Sequence, residues 1–143
     1  MNIHKIANSD FETLEAVNQF LNQLVEKEYK ITQLQLEAII SDYNSNLFFA
    51  SNEDGQYLGM LTVGIYHAPT GKKAWIEDVV VDQRFRGEGV GIALTDFAIQ
   101  FAKDQQAEVV MLTSKPSRIS ANNLYKKLGF QLKETNVYRF PLK

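Results

Sequence analysis

VVVDQRFRGEGVGIAL, residues 79–94, decides how this chain reads. A β-branched run (Val79, Val80, Val81) meets a turn at Asp82 and Gln83. Two arginines follow, Arg84 and Arg86, then glycines at alternate positions 87, 89 and 91, then a helix-forming segment. The physical reading is strand, glycine-rich loop, helix N-terminus. Glycine lets a backbone take φ > 0 and approach a ligand closely. The first turn of a helix offers unpaired N–H groups and partial positive charge, which suit phosphate, and neighbouring arginines reinforce that. The loop therefore points to a phosphorylated ligand held by backbone amides. A dinucleotide fingerprint would read G-x-G-x-x-G, whereas this loop is G-x-G-x-G, and a triphosphate loop would need Gly-Lys-Ser/Thr where Gly91-Ile92-Ala93 stands. The competing reading is a glycine turn that binds nothing. It is disfavoured because three glycines weaken loop and helix.

Outward from this segment the pattern is regular. Asn2 to Ile6 reads as a short strand. Ser9 or Asp10 caps a helix with an apolar stripe at Leu14, Val17, Leu21, Leu24 and Val25. Thr32 caps a second helix containing Leu34, Leu36, Ile39 and Ile40. Leu47–Ala50 and Tyr57–Tyr66 read as strands joined by the turn Asn52-Glu53-Asp54-Gly55. After the turn Ala68-Pro69-Thr70-Gly71, Lys73–Val81 is the strand entering the glycine loop. Gly91–Lys103 reads as an amphipathic helix, Glu108–Thr113 as a buried strand, Ser117–Leu128 as a helix stopped by Gly129, and Phe130–Lys133 and Val137–Phe140 as short strands. Hairpins followed by β-α-β imply a mixed sheet with helices on its faces, an α/β (α+β mixed) class.

The chain has 143 residues, 45% hydrophobic and 22% charged, the size and composition of one ordinary domain. A net charge of −2 gives no global pull toward nucleic acid or an acidic membrane, and neither is expected as a partner. There is no cysteine, which removes disulfides, thiolate metal sites and a cysteine nucleophile; no metal is expected. No apolar run approaches the ~18 residues of a membrane span. The first residues lack a signal-peptide core, so a cytoplasmic protein is the expectation.

A second segment, RISANNLYKKLGF at 118–130, places Arg118, Ala121, Asn122 and Tyr125 on one helix face. The small alanine admits a slim ligand, and the phenol can donate a hydrogen bond. The plain alternative for Tyr125 is an amphipathic core tyrosine. Leu124, Leu128 and Phe130 read as core.

Together, RFRGEGVGIAL and ANNLYKKLGF resemble the GNAT superfamily of acetyl-coenzyme A-dependent N-acetyltransferases. The R-x-x-G-x-G signature falls on Arg84, Gly87 and Gly89. The signature A-x-x-L-Y-x-K-x-G-F falls on Ala121, Leu124, Tyr125, Lys127, Gly129 and Phe130. Seven residues before the tyrosine many members carry asparagine; here it is Arg118. The resemblance implies a single domain over 1–143, with a mostly antiparallel mixed sheet of about seven strands, about four helices, and two central parallel strands splayed for the cofactor. It also implies acetyl-coenzyme A as co-substrate. Its pyrophosphate would lie on backbone N–H groups of Arg86, Gly87, Glu88, Gly89, Val90, Gly91 and Ile92, and its pantetheine along Val79, Val80 and Val81. Arg84, Asn122 and Tyr125 would complete the cofactor contacts.

By the same resemblance, an amine attacks the thioester directly in a ternary complex. An N–H of Val80 or a neighbour would meet the developing oxyanion, and Tyr125 would protonate the leaving thiolate. Glu77 is the favoured base, with Asp78 on the opposite face by strand alternation; an ion-paired surface carboxylate is the alternative, and His67 is a weaker candidate. Glu26, Glu28, Tyr29, Tyr43, Tyr66, His67 and Trp75 fall on parts that wall the acceptor site in this family. Acidic and aromatic residues suit a cationic amine, on a small molecule or on a peptide. WIEDVVV (75–81) also resembles members that acetylate amino sugars. A catalytically silent coenzyme A sensor is the other function considered, and a homodimer is compatible with the family.

Overall fold

A hairpin-built sheet carries the strand of interest. The computed structural model describes residues 1–25 and 27–143; Glu26, expected near the acceptor, lies outside them. They divide into two units, Met1–Thr113 and Ser114–Lys143. The first holds β1 (Asn2–Lys5), α1 (Phe11–Leu24), α2 (Gln33–Ser41), β2 (Ser45–Ser51), β3 (Tyr57–Ala68), β4 (Gly71–Val81), a 3-10 turn (Gln83–Phe85), α3 (Val90–Asp104) and β5 (Val109–Met111). The second holds α4 (Ile119–Lys127). Of the two possible caps of α1, Asp10 is used: its carboxylate accepts from the Thr13 N–H at 2.8 Å. Thr32 and Gln35 form a reciprocal capping box on α2.

The sheet order is β1-β2-β3-β4-β5, antiparallel except for β4–β5. Alternation in β2 sends Phe48 and Phe49 to opposite faces. Phe48 meets Phe97 and Phe101 of α3 edge-on, each at 5.0 Å between centroids. Phe49 meets Phe20 of α1 at 5.7 Å, in a core shared with Leu21, Leu36, Leu47, Met60 and Val80. The sheet is thus sandwiched, α1 and α2 on one face and α3 on the other. Each buried phenylalanine contributes about 1.5–3 kcal/mol of transfer free energy.

One irregularity in β4 sets which way its side chains point. Thr62 pairs with Glu77, but Met60 pairs with Val80, so Leu61 faces two residues, Asp78 and Val79. Asp78 takes φ 52, the left-handed region, which aspartate tolerates better than most residues. This β-bulge resets the alternation. Val80 shares the α1/α2 face with Met60, and Glu77 shares that face with Thr62. Without the extra residue, Glu77 and Val80, three apart, would point to opposite sides.

The structure corrects the expected sheet. Among the described residues it has five strands rather than about seven, and the parallel pair lies at its edge, with β5 the last strand. β5 is also shorter than expected, pairing only Val109, Val110 and Met111 with Lys73, Ala74 and Trp75. Residues 130–143 form neither strand nor helix. Their alternating pattern reads as strand, but a strand needs a hydrogen-bonding neighbour and a covered face. Here Leu132, Val137, Tyr138, Phe140 and Leu142 are 74–90% exposed, and Pro141 lacks a backbone donor.

In the second unit, Arg118 precedes α4 and Gly129 follows it at φ 100, a left-handed stop. The Phe130 N–H returns to the Tyr125 carbonyl at 3.0 Å. No residue of α4 is buried, so Leu124 is half-buried rather than core, as are Leu128 and Phe130 beyond the helix.

Candidate active site

β4 loses its parallel neighbour after Trp75, and from Ile76 to Val81 it pairs with β3 alone. The other edge of that stretch is open among the described residues. The Asp82 N–H donates to the Leu58 carbonyl at 2.9 Å, and the Val80 carbonyl lies close to Gly59 of β3. Val80 therefore turns its polar groups toward β3, and Val81 turns its own toward the open edge. Arg86 Nε donates there, to the Val81 carbonyl at 3.2 Å.

The strand ends in the expected loop. Gly87 and Gly89 both sit at φ 82, with no heavy atom within 4 Å of where a Cβ would project. Both positions thus need glycine and both leave room above the backbone. Gly89 is the N-cap of α3 and supplies no side-chain acceptor. The first helical bond is from Ala93 to the Gly89 carbonyl, at 3.0 Å. The N–H groups of Val90, Gly91 and Ile92 precede it and have no partner in the helix. Glu88 is exposed, and the Val90 side chain is buried, so only its backbone is offered outward.

Arg84 is fastened to Asp82. Its backbone N–H and Nε donate to Asp82 Oδ1 at 2.9 and 3.1 Å, and Nη2 donates to Oδ2 at 2.9 Å. The Asp82 side chain is only 8% exposed, and the arginine hydrogen bonds hold its carboxyl below the ordinary carboxylate range. Gln23 of α1 accepts from the Gln83 N–H at 2.8 Å and fastens the same turn. Neither Asp82 nor Gln23 was singled out in the sequence. The Asx-turn habit of aspartate was the available signal for the first; no signal marked the second.

Glu77 and Asp78 are adjacent, exposed carboxylates with no lysine or arginine in salt-bridge range among the described residues. Loss of hydration raises the Glu77 pKa, and the charge of Asp78 raises it further. Desolvation raises that of Asp78. His67 pairs with Lys72 and lies on the face opposite Glu77, exposed at the hairpin end. Trp75 and Tyr66 share the Glu77 face, and Trp75 Nε1 donates to the Tyr66 hydroxyl at 3.0 Å. Glu28 pairs loosely with Lys30 at 3.6 Å on the surface, and Tyr29 and Tyr43 are 52% and 91% exposed.

In the second unit, Asn122 Nδ2 donates to the carbonyls of Lys115 and Arg118 at 2.9 and 2.7 Å, which folds the approach to α4 onto the helix. Tyr125 stacks edge-on with Phe130 at 5.8 Å. Burial raises its phenol pKa, partly opposed by Arg118, so the phenol stays protonated at neutral pH. Among the described residues no cluster of three or more histidine, aspartate or glutamate side chains is placed to hold a metal ion. No helix among the described residues is long and apolar enough to cross a membrane.

The relatives of this chain point to one family. The profile of the Acetyltransferase (GNAT) family matches residues 4–130, spanning both units. Streptothricin acetyltransferase of Escherichia coli is 28% identical over 152 aligned residues, covering 98% of this chain and 86% of that protein. An uncharacterized N-acetyltransferase of Methanocaldococcus jannaschii is 33% identical over 90 residues, covering 61% of this chain and 40% of the relative. This chain thus spans well under half of the archaeal protein. An aminoglycoside acetyltransferase from an uncultured soil metagenomic sample shares the fold, with a TM-score of 0.86 at 22% identity over 99% of this chain and 96% of that one. With the family profile covering most of its length and the glycine loop in place at the end of β4, the chain belongs to the GNAT family of acetyltransferases.

Proposed function

We propose that the chain transfers an acetyl group from acetyl-coenzyme A to a primary amine by direct attack in a ternary complex. The observation that carries this is the continuity of an open β4 edge with a loop whose two left-handed glycines have free space above them. An edge of that kind offers backbone partners to the two amides of pantetheine, and the loop and the start of α3 offer N–H groups to a pyrophosphate.

Acetyl-coenzyme A would supply the thioester. The chain's own residues do the rest. Arg86 through Ile92 bind phosphate through N–H groups, and Val79–Val81 align the pantetheine. Val81, whose backbone groups face the open edge, is the favoured oxyanion donor. Glu77 takes the proton of the amine through water; lost hydration and the charge of Asp78 raise its carboxyl from the ordinary carboxylate value, which makes it a better proton acceptor. Tyr125 protonates the leaving thiolate, a role that a phenol kept protonated can fill. The presence of a phenol at Tyr125 and a carboxylate at Glu77 favours turnover over silent binding.

The acceptor is proposed to be a small cationic amine, in keeping with the carboxylates on the Glu77 face and with the relative named for acetylating streptothricin. Calorimetry of coenzyme A binding tests the cofactor assignment. Gly89→Trp is expected to lower affinity at least tenfold while the far-ultraviolet circular dichroism stays native. Equal affinity in the two proteins would refute the loop placement.

A further inference from the structure

We propose that the uncovered half of the sheet face carrying Glu77 is a recognition shelf for a diamine, with Trp75 and Tyr66 holding its second cationic centre. The proposal rests on the acyl-transfer reading above and names its substrate class.

From Thr62↔Glu77 to Ala68↔Gly71 the β3–β4 register is unbroken, so Thr62, Gly64, Tyr66, Lys73, Trp75 and Glu77 lie on one face. The same face is covered at its other end, where Met60 and Val80 join the core with Phe20 and Leu36. Beyond that the cover stops among the described residues: Glu77 is exposed, Trp75 is half-buried and Tyr66 is 43% exposed. Opposite Trp75 stands Gly64, where a Cβ would meet nothing nearer than the Trp75 carbonyl at 4.0 Å. The floor there is bare backbone beside an indole. Because the indole N–H is committed to the Tyr66 hydroxyl at 3.0 Å, the two rings form one fixed wall.

The chemistry along this face runs in steps. Residues two apart on a strand stand about 6–7 Å from one another, so Glu77, Trp75 and Lys73 make a row of carboxylate, aromatic ring and ammonium. A carboxylate without a cationic partner attracts a protonated amine. A tryptophan face within about 6 Å attracts a second cation through its quadrupole. Asp78, beside Glu77, adds negative charge at the same end. Lys73, opposite Tyr66, closes the row with a positive charge and repels a third cation. The row therefore fits two cationic centres about 6–7 Å apart, and penalises both a monoamine and a longer polycation.

Trp75 is the only tryptophan in the chain, so intrinsic emission reports on the shelf directly and without turnover. At fixed ionic strength, putrescine is expected to change the emission saturably. It should bind about tenfold more tightly than the amino alcohol of the same chain length, within the range of a partly desolvated cation–π contact. Spermine is expected to bind no more tightly than putrescine. By calorimetry, Trp75→Leu should erase the preference for putrescine; Tyr66→Phe keeps the reporter and should weaken the preference, which covers the case in which the leucine variant does not fold. Equal binding of diamine and amino alcohol, or an emission that neither ligand moves, would overturn the shelf. Coenzyme A binding measured on the same sample separates the two claims. Its presence without a diamine preference sinks the shelf alone, whereas its absence with the preference intact sinks the acyl-transfer reading.

Discussion

Asp82 and Arg84 show how two neighbouring residues set the loop before any ligand arrives. The buried carboxylate accepts three hydrogen bonds from Arg84; Arg84→Ala keeps the backbone N–H on Oδ1 but removes both guanidinium bonds, leaving the desolvated Oδ2 without its Nη2 donor. The expected cost is about 1–3 kcal/mol in urea unfolding, with only a modest loss of coenzyme A affinity. A large affinity loss without destabilisation would return Arg84 to the phosphate. The Asp82 pKa is lowered in the folded state, so its contribution is present above the ordinary carboxylate pKa and lost as pH falls through the folded value. Glu77 runs the other way. Its folded pKa is raised, so its contribution is present below the ordinary carboxylate pKa and lost as pH rises through the raised one. Glu77→Gln should therefore leave the melting temperature at neutral pH unchanged or higher. As a base variant it should be about 10²-fold slower at neutral pH, with the gap closing as pH approaches the amine's own pKa. An equal loss at every pH would mark a structural role. The residue types at 77 and 84 were legible; the choice of Asp82 as the partner of Arg84 was not, because it depends on turn geometry that spacing does not encode.

At the level of elements, β4 is defined by its bulge. Gly59 sits where β3 passes that strand, and a Cβ there would stand 2.5 Å from the Val80 carbonyl. Backbone cannot yield as a flexible side chain would, so Gly59→Ala is expected to destabilise by about 1–3 kcal/mol and to disturb the open edge. A thermal melt unchanged from the parent would show that the strands relax freely. The hairpins of β2, β3 and β4 were readable because alternation and turn residues at Asn52–Gly55 and Ala68–Gly71 agree. The bulge was not, since Asp78 looks like any strand residue until its partner strand is known. The segment 130–143 misled for a related reason: Leu132, Val137 and Phe140 have strand-like character, but sequence does not say whether a neighbouring edge accepts them. α3 and α4 were read well because glycine bounds each where a helix can start or stop, Gly89 before one and Gly129 after the other.

For the whole molecule, the family assignment rests on both signature segments, and the profile match spans them in the same order. The glycine loop was fully legible, because left-handed backbone at 87 and 89 leaves glycine as the natural occupant. The residues proposed to meet the acceptor were legible only as types. Register sorted those types, placing Tyr66 and Trp75 with Glu77 and sending His67 to the other face. The most direct test of acetyl transfer is thiol release from acetyl-coenzyme A, followed with and without an amine panel of diamines, amino sugars, aminoglycosides and lysine peptides. Amine-dependent release is expected with the parent chain, and Tyr125→Phe should lower turnover more than it lowers coenzyme A affinity. Tight coenzyme A binding with no amine-dependent release from any member of the panel would contradict the account.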